Sequence, residues 1–292
     1  MNIKKYIAYS KVVETGSLTK AAEALHYTQP SISQMIHSLE EEYGFPLLIR
    51  QQHGVVPTAH GEQLLVAMRE IERGYAKLTE TVDRINGFET GHVRIGAYSS
   101  VTTTLLPPLL AAFKRDYPRI HIQLYEGNAV ELDRWLMEDK IDMALGTTHN
   151  EHWQFDLLMN DPIVAIMHPN HPLAARETIS VAEAAHAAFI LPHPNSHLEV
   201  RNLFTQARIQ PLIAYEVKGD ETILAMVKHH LGISFVPQLL LQRTQGLAVR
   251  PLAEPACRQL GLLTRRAKHT QTPAVKKMID YIVATIASQQ LK

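Results

Sequence analysis

The sequence contains a single cysteine, Cys257, and no long run of apolar residues. One cysteine excludes an intramolecular disulfide and fits a reducing compartment. Because no second cysteine or activating neighbour accompanies it, we interpret Cys257 as a small buried apolar residue rather than a redox sensor. No window reaches the roughly 18 apolar residues of a membrane-spanning helix, and the N-terminal stretch MNIKKYIAYSKVVE lacks the apolar core of a signal peptide. These absences predict a soluble, cytoplasmic protein.

Sequence motifs of common catalytic sites are also absent. The chain has no glycine-rich phosphate loop, no HExxH, no GxSxG and no cysteine–histidine pair at a recognisable spacing. We therefore predict that it is not an enzyme and has no catalytic residue. Histidine is abundant, and six of the sixteen have spacings or loop settings that suit metal ligands: His149, His152, His168, His171, His193 and His197. We weigh that possibility and predict neither a metal site nor a cofactor.

The 292 residues and the hydrophobic fraction of 46% are enough for two or three folded units. The first 60 residues carry no net charge, although nucleic-acid-binding domains are usually basic. Five cations balance five anions there: Lys4, Lys5, Lys11, Lys20 and Arg50 against Glu14, Glu23, Glu40, Glu41 and Glu42. If this segment binds DNA, we expect one copy to bind weakly and pairing of two copies to supply the affinity. Full-strength binding by an isolated monomeric fragment of residues 1–60 would contradict that expectation.

The segment 17–50, SLTKAAEALHYTQPSISQMIHSLEEEYGFPLLIR, has the pattern of a helix-turn-helix. Thr28 suits the N-cap of the second helix, and Pro30 is tolerated in its first turn, where no backbone N–H is needed. A buried stripe follows at helical spacing: Ile32, Ile36, Leu39 and Tyr43. The opposite face is small, uncharged and able to hydrogen bond, with Pro30, Ser33, Gln34 and His37. Such a face suits a helix that reads base edges in a major groove.

Two further elements follow this segment. The stretch QQHGVVPT after Arg50 indicates a short wing with a turn at Gly54. Residues 59–88 have apolar side chains every three or four positions, which predicts a helix of about 45 Å at 1.5 Å per residue. We favour pairing of this helix with a second copy across a dimer over packing onto its own chain.

From His92 onward, short β-rich runs alternate with helical stretches. The predicted strands are HVRIGAY, IHIQLYE, IDMALG, PIVAIMH, AFILP and GISFVP. The predicted helices span 105–116, 130–138, 197–207 and 221–230. The alternation predicts open α/β sheets.

These residues resemble the LysR-type transcriptional regulators along nearly the whole chain. The N-terminal matches include Ala21-Ala22, the run Thr28-Gln29-Pro30-Ser31-Ile32-Ser33, Leu39-Glu40, Gly44, Leu47, Arg50, Pro57-Thr58 and Gly61. Later matches include Val93-Arg94-Ile95-Gly96, Tyr117-Pro118, Ile141-Asp142-Met143-Ala144, His171-Pro172-Leu173-Ala174 and Phe235-Val236-Pro237. So long an ordered set makes the resemblance specific.

The resemblance implies an α/β protein with three parts. These are a winged helix-turn-helix DNA-binding domain at 1–58, a linker and dimerisation helix at 59–88, and an effector-binding domain at 89–292. The last would be two-lobed like the type 2 periplasmic binding proteins, with lobe I at about 92–161 and 267–292 and lobe II at about 162–266. The chain would cross between the lobes near 160–163 and again near 265–268.

The expected function is ligand-controlled, sequence-specific regulation of transcription. A dimer or tetramer would bind double-stranded promoter DNA and contact RNA polymerase. The residues expected at the DNA are Thr28, Gln29, Pro30, Ser31, Ser33, Gln34, His37, Arg50 and His53. Gln29, Ser33, Gln34 and His37 would contact bases, whereas Thr28, Ser31 and Arg50 would hold the phosphate backbone. The alternative is a cytoplasmic solute-binding or enzymatic domain with no role at DNA.

The expected effector is a small anion such as a carboxylate, bound in the cleft between the lobes. The observation behind it is a hydroxyl-rich start to the helix at 105–116, where free N–H groups and the helix dipole favour negative charge. We favour ligand contact over simple helix capping, because capping needs one or two hydroxyls and this stretch offers five. The residues expected at the effector are Ser99, Ser100, Thr102 and Thr103, together with Asn128, Thr147, His193, Asn195 and Ser196 at family cleft positions.

Overall fold

The computed structural model describes residues 2–51, 54–85, 89–147, 150–193, 197–242, 244–266 and 271–290. The chain divides into two compact units. The first unit contains residues 1–91, 137–140 and 267–276, and the second contains 92–136, 141–266 and 277–292. None of the helices in the described ranges combines the length and apolarity needed to span a bilayer.

The first unit begins with three short helices, a hairpin and a long helix. In the described residues these are α1 (Ile3–Thr15), α2 (Leu18–Leu25), α3 (Gln29–Tyr43), β1 (Leu48–Gln51), β2 (Gly54–Pro57) and α4 (Ala59–Ile85). The predicted helix-turn-helix and wing are therefore present. The antiparallel pairing of β1 with β2 places Arg50 opposite Val55.

Capping residues set the ends of α2 and α3. The Ser17 hydroxyl accepts a hydrogen bond from the Lys20 N–H, and the Thr28 hydroxyl accepts one from the Ser31 N–H. α3 ends at Gly44, whose φ of 80° is a conformation that glycine adopts without strain. The predicted N-cap of α3 is confirmed.

The predicted apolar stripe of α3 lies in the core of the first unit. Ile32, Ile36 and Leu39 are buried against Ala21 and Ala22 of α2, and Tyr9 and Val12 of α1 complete the cluster. Tyr43 is only half-buried. Truncation of a side chain such as Leu39 to alanine would cost about 2–5 kcal/mol, because the fixed helices cannot close the cavity.

The long helix α4 packs on its own unit over its first half and exposes an apolar stripe over its second. Leu65 and Met68 join the core of the first unit. Further along, Arg73 forms a 2.6 Å ion pair with Asp139 of the first unit. The exposed stripe comprises Ile71, Tyr75, Leu78, Val82 and Ile85. Packing onto its own chain therefore explains only part of the pattern, and the predicted pairing with a second copy remains a prediction.

Strands and helices alternate along the rest of the chain, as predicted. The strands are β3 (Gly91–Ala97), β4 (Ile120–Glu126), β5 (Met143–Gly146), β6 (Trp153–Met167), β7 (Phe189–Pro192), β8 (Ile213–Val217), β9 (Ser234–Pro237), β10 (Ala248–Pro251) and β11 (Cys257–Arg265). The helices are α5 (Leu106–Asp116), α6 (Ala129–Met137), α7 (Val181–Ala185), α8 (Leu198–Ala207), α9 (Asp220–Lys228) and α10 (Pro273–Gln290).

Two long antiparallel strands, β6 and β11, run between the two lobes of the second unit. The main sheet has the order β10-β6-β11-β5-β3-β4, with β9 also paired to β6. Lobe I contains β3, β4 and β5, whereas lobe II contains β9, β10 and the parallel pair β7–β8. A cluster of Phe189, Phe204 and Phe235 lies in the core of lobe II, with ring centroids 5.0–5.6 Å apart. Phe235 is a core residue, as the apolar strand around it predicts.

The second chain crossing lies about ten residues earlier than predicted. Strand β11 pairs with β5 of lobe I, through contacts such as Leu262 opposite Leu145. The preceding strand, β10, pairs with the lobe II half of β6. The chain therefore returns to lobe I between Pro251 and Cys257, and not at 265–268. The family resemblance gave only an approximate position for this crossing, and the pairing of β10 and β11 with distant strands locates it.

The interpretation of Cys257 as a buried residue is wrong. It is the first residue of β11 and is exposed. Its neighbour Arg258 occupies the buried position instead, because successive side chains of a strand point to opposite faces.

Candidate functional site

The exposed face of α3 lines a groove in the first unit. The groove has a volume of about 510 Å³, and its lining combines α3 with the wing: it includes Gln29, Pro30, Ser33, Gln34, His37 and Glu40 of α3, and Arg50 of β1. Six of the nine residues predicted at DNA therefore lie on one surface. Most of these α3 side chains are uncharged, whereas Arg50 adds a positive charge at the edge.

Thr28 and Ser31 lie beside this groove at the start of α3. Their hydroxyl oxygens are 2.8 Å apart, and both belong to the cap of the helix. Hydroxyl groups held at a helix N-terminus, next to free backbone N–H groups, are well placed to bind a phosphate oxygen. His53, the ninth predicted residue, lies outside the described residues.

The three glutamates of α3 have partners, and Glu42 lies 3.5 Å from Lys5 of α1. One Glu40 oxygen accepts hydrogen bonds from the backbone N–H groups of Leu47 and Leu48, at 2.8 and 3.2 Å. This carboxylate therefore fixes the start of the wing to α3. The Glu41 carboxylate lies 3.3 Å from His37 on the exposed face.

A second cavity, of about 410 Å³, lies between the lobes of the second unit. Lobe I contributes Tyr98, Ser99, Glu126, Gly127, Asn128 and Glu131, whereas lobe II contributes His197, Lys218, Gly219, Asp220 and Glu221. The cavity lies at the carboxyl ends of β3, β4 and β8, which is the usual position for a ligand in an open α/β fold.

Most hydroxyls of the predicted anion-binding stretch have partners within the protein. Residues 101–105 form one π-helical turn, and the hydroxyls of Thr102 and Thr103 lie 2.9 and 2.8 Å from the Ser99 carbonyl oxygen. The hydroxyl of Thr104 likewise donates to the Ser100 carbonyl oxygen. Thr102 also contacts Glu126, at 2.6 Å. This back-bonding explains the hydroxyl-rich sequence without a ligand.

Ser100 does not line the cleft, contrary to the prediction that it contacts the effector. Its side chain is buried, and its hydroxyl oxygen accepts a 2.7 Å hydrogen bond from Arg258. Arg258 also pairs with Asp161 at 2.8 Å, and both residues are only 1% exposed. The guanidinium group lies 5.5 Å from the centre of the Tyr98 ring, which lines the cleft. The Arg258 Nη1 atom is buried and has no hydrogen-bond partner among the described residues.

Asp220 lies on the lobe II side of the cleft. It accepts a 2.7 Å hydrogen bond from His197 Nε2 within lobe II. Burial raises the pKa of Asp220, but its interactions with His197 and with the Ser99 hydroxyl outweigh burial and hold the pKa below its usual value of 3.8. Asp220 is therefore ionised at neutral pH.

The other predicted effector residues have varied positions. Asn128 lines the cleft and exchanges hydrogen bonds with Glu131 at the start of α6. Thr147 bonds to the Tyr98 hydroxyl at 2.7 Å. His193, which follows β7, is half-buried, and its backbone N–H donates to the Val217 carbonyl oxygen. Asn195 and Ser196 lie outside the described residues.

The sequence prediction missed Lys218 and Asp220, and it considered His197 only as a metal ligand. Lys218 and Asp220 follow β8, a strand with the mostly exposed sequence Ile213–Val217. Such a strand has no hydrophobic alternation that would mark its end as part of a site. Among the described residues, no group of three or more His, Cys, Asp or Glu side chains is arranged to hold a metal ion. His149 lies outside them.

Comparison with known proteins gives matches along nearly the whole chain. The model for "Bacterial regulatory helix-turn-helix protein, lysR family" matches residues 4–62, and that for "LysR substrate binding domain" matches residues 86–287. The uncharacterised regulator YvbU of Bacillus subtilis strain 168 is 30% identical over 240 residues, which are 82% of each chain.

Two solved structures extend the comparison. A full-length variant of OxyR from Pseudomonas aeruginosa has a TM-score of 0.77 at 20% identity, covering 98% of this chain and 94% of that one. CbnR complexed with its target DNA has a TM-score of 0.58 at 22% identity, covering 98% and 100%. These two structures support the fold, while the two matching family models describe parts of LysR regulators and YvbU is named as a transcriptional regulator.

Proposed function

The chain belongs to the LysR family of bacterial transcriptional regulators, and we propose that it reads promoter DNA with α3 under the control of a small molecule bound in the cleft. The observation that carries the proposal is the single groove formed by Gln29, Pro30, Ser33, Gln34, His37 and Arg50. An uncharged, hydrogen-bonding helix face suits base recognition, and a flanking arginine suits a phosphate. The DNA complex of CbnR, a protein of the same fold, supports this use of the groove.

The protein would act as a dimer or tetramer in the cytoplasm, where its DNA is. The exposed stripe of α4 supports pairing, because a second copy would remove Tyr75, Leu78 and Ile85 from water. Two DNA-binding domains would then contact two half-sites, which compensates for the weak charge of a single domain. RNA polymerase is the further partner that we propose for a regulator bound at a promoter.

The proposed effector contains a carboxylate or another anionic group. Lys218, which lines the cleft, supports this assignment. Arg258 lies beneath Tyr98 with a buried N–H group that lacks a partner in the described part of the chain. A ligand that closed the lobes would change the relative placement of the DNA-binding domains in the oligomer.

The DNA-binding proposal is tested by comparing two substitutions on two DNAs. The protein's preferred site is first selected from random duplexes, and anisotropy titrations then compare that site with an unrelated duplex at fixed salt. We expect Gln34→Ala to lose about 5- to 150-fold on the selected site alone, because it removes a base contact worth about 1–3 kcal/mol. Arg50→Ala should weaken both complexes by the same factor, because a phosphate contact carries no sequence information.

Gln123→Ala is the matched control, since Gln123 is an exposed glutamine of β4 in the second unit. It should leave both affinities unchanged. If Gln34→Ala lowered the affinity for both duplexes by the same factor, the assignment of Gln34 as a base-contacting residue would be refuted.

A further inference from the structure

The side chains around the cleft carry more negative than positive charge. Four carboxylates line it, Glu126, Glu131, Asp220 and Glu221, whereas Lys218 is the lysine among the lining residues. A ligand with only negative charge would meet unfavourable Coulomb interactions on several sides. This balance indicates that a positively charged group on the ligand would also be stabilised.

His197 provides a second, independent indication that a polar ligand group belongs here. Its ring lines the cleft and is 4% exposed. Nε2 is bonded to Asp220, while Nδ1 is buried and has no hydrogen-bond partner among the described residues. Buried polar atoms are rarely left without a partner, so the ring requires one from a bound molecule.

The two ring nitrogens of His197 face opposite sides, so the ligand group at Nδ1 is a different one from the group at Asp220. A neutral ring would accept at Nδ1 from an N–H or O–H group of the ligand, whereas a protonated ring would donate from Nδ1 to a carboxylate. The Asp220 carboxylate has more acceptor positions than the bond from His197 fills. An ammonium group would use those positions and balance the charge.

We infer that the effector is a zwitterion, with a protonated amine held by Asp220, a second polar group bonded to His197 Nδ1 and a carboxylate directed toward Lys218. This inference rests on the proposed function of the cleft and names the class of its ligand. Amino acids and ω-amino acids belong to that class, and most fit a cavity of about 410 Å³.

Matched derivatives separate the contribution of each charge. The full-length protein is screened by thermal unfolding and then by calorimetry against the free standard amino acids and 4-aminobutanoate. Each compound that binds is compared with its N-acetyl derivative, which lacks the cation, and with its carboxamide, which lacks the anion. We expect binding of at least one free zwitterion and a loss of about 10- to 100-fold on N-acetylation, as for a hydrogen bond to a charged group.

Substitutions then place the amine at Asp220. Asp220→Asn should weaken binding of the free zwitterion about 10- to 100-fold and leave the affinity for its N-acetyl derivative unchanged. Glu177→Gln is the control, because Glu177 is exposed and does not line the cleft. It should change neither affinity.

The inference fails if N-acetyl derivatives or simple dicarboxylates such as succinate bind as tightly as the free amino acids. It also fails if none of the zwitterions binds. Binding to the selected DNA duplex is measured in the same preparations. If only compounds without an amine bind and DNA binding is intact, the proposed regulator function stands. Only the inference that the effector is a zwitterion is then refuted.

Discussion

Replacing Arg258 with methionine tests whether the Arg258–Asp161 ion pair beneath the cleft is excluded from water. Methionine keeps the apolar stem of the side chain and removes the guanidinium group. Asp161 would then lose its 2.8 Å ion pair, while one of its oxygens would keep the 2.9 Å hydrogen bond from the Leu239 N–H. Its carboxylate would remain 1% exposed, with no opposite charge in contact.

The expected loss is about 3–5 kcal/mol, the usual consequence of leaving a buried charge unpaired. The remaining bond from Leu239 favours the lower end of this range. The double variant Asp161→Asn/Arg258→Met leaves no buried charge, so its loss should be smaller than the sum of the two single losses by about 1–3 kcal/mol.

Urea denaturation of the full-length protein, followed by tryptophan fluorescence, measures this loss. Both tryptophans of the chain, Trp135 and Trp153, lie in the second unit and are buried, so their emission reports that unit. With a urea dependence of about 2–3 kcal/mol per molar, the midpoint of Arg258→Met should fall by about 1–2 M. Protein concentration is held fixed, because association would shift the midpoint.

A loss below about 1 kcal/mol for Arg258→Met, the size found for exposed pairs, would refute the reasoning. An additive double variant would refute it as well, because the two groups would then act independently.

Two further predictions concern packing and pH. Gly61→Ala should destabilise the first unit by about 1–3 kcal/mol, since the new Cβ would lie 2.3 Å from the Tyr9 hydroxyl and 2.4 Å from the Leu47 carbonyl oxygen. At Gly74 the new Cβ would have no neighbour within 4 Å in the described part of the chain beyond the backbone of its own helix. Gly74→Ala should therefore stabilise α4 by about 0.5–1 kcal/mol in thermal melts. Burial lowers the pKa of His171 below 6.5, so the unfolded chain takes up more protons and the second unit loses stability as pH falls below that value. The Leu173 N–H donates to His171 Nδ1 at 3.2 Å. His171→Asn, which keeps an acceptor for this bond, should lose less stability over that range, and an unchanged pH dependence would contradict this.

Short-range features of the sequence predicted structure well. Thr28 and Pro30 act within one helical turn, so the start of α3 could be located from its own residues. The buried stripe of Ile32, Ile36 and Leu39 follows equally from helical spacing. The groove residues were predictable because they form the opposite face of the same helix.

Features that depend on distant residues could not be predicted in this way. Arg258 is buried because Asp161, 97 positions earlier in the chain, lies beside it. The threonines at 102–104 contain the same hydroxyl groups whether they bind a ligand or a backbone carbonyl, and only the π-helical turn decides between the two. Lys218 and Asp220 reach the cleft through β8, whose exposed sequence gave no indication of a strand.

The position of Glu40 changes how the charge of the DNA-binding domain should be counted. Two backbone N–H groups at the start of the wing donate to one oxygen of its carboxylate, and their dipoles weaken its field at the nearby surface. Glu14 and Glu42 are balanced locally by Lys11 and Lys5. With these groups left out, the domain keeps three cations and two anions in place of five of each. The cations are Lys4, Lys20 and Arg50, and the anions are Glu23 and Glu41. An approaching duplex would therefore meet a slightly attractive domain where the formal sum suggests a neutral one.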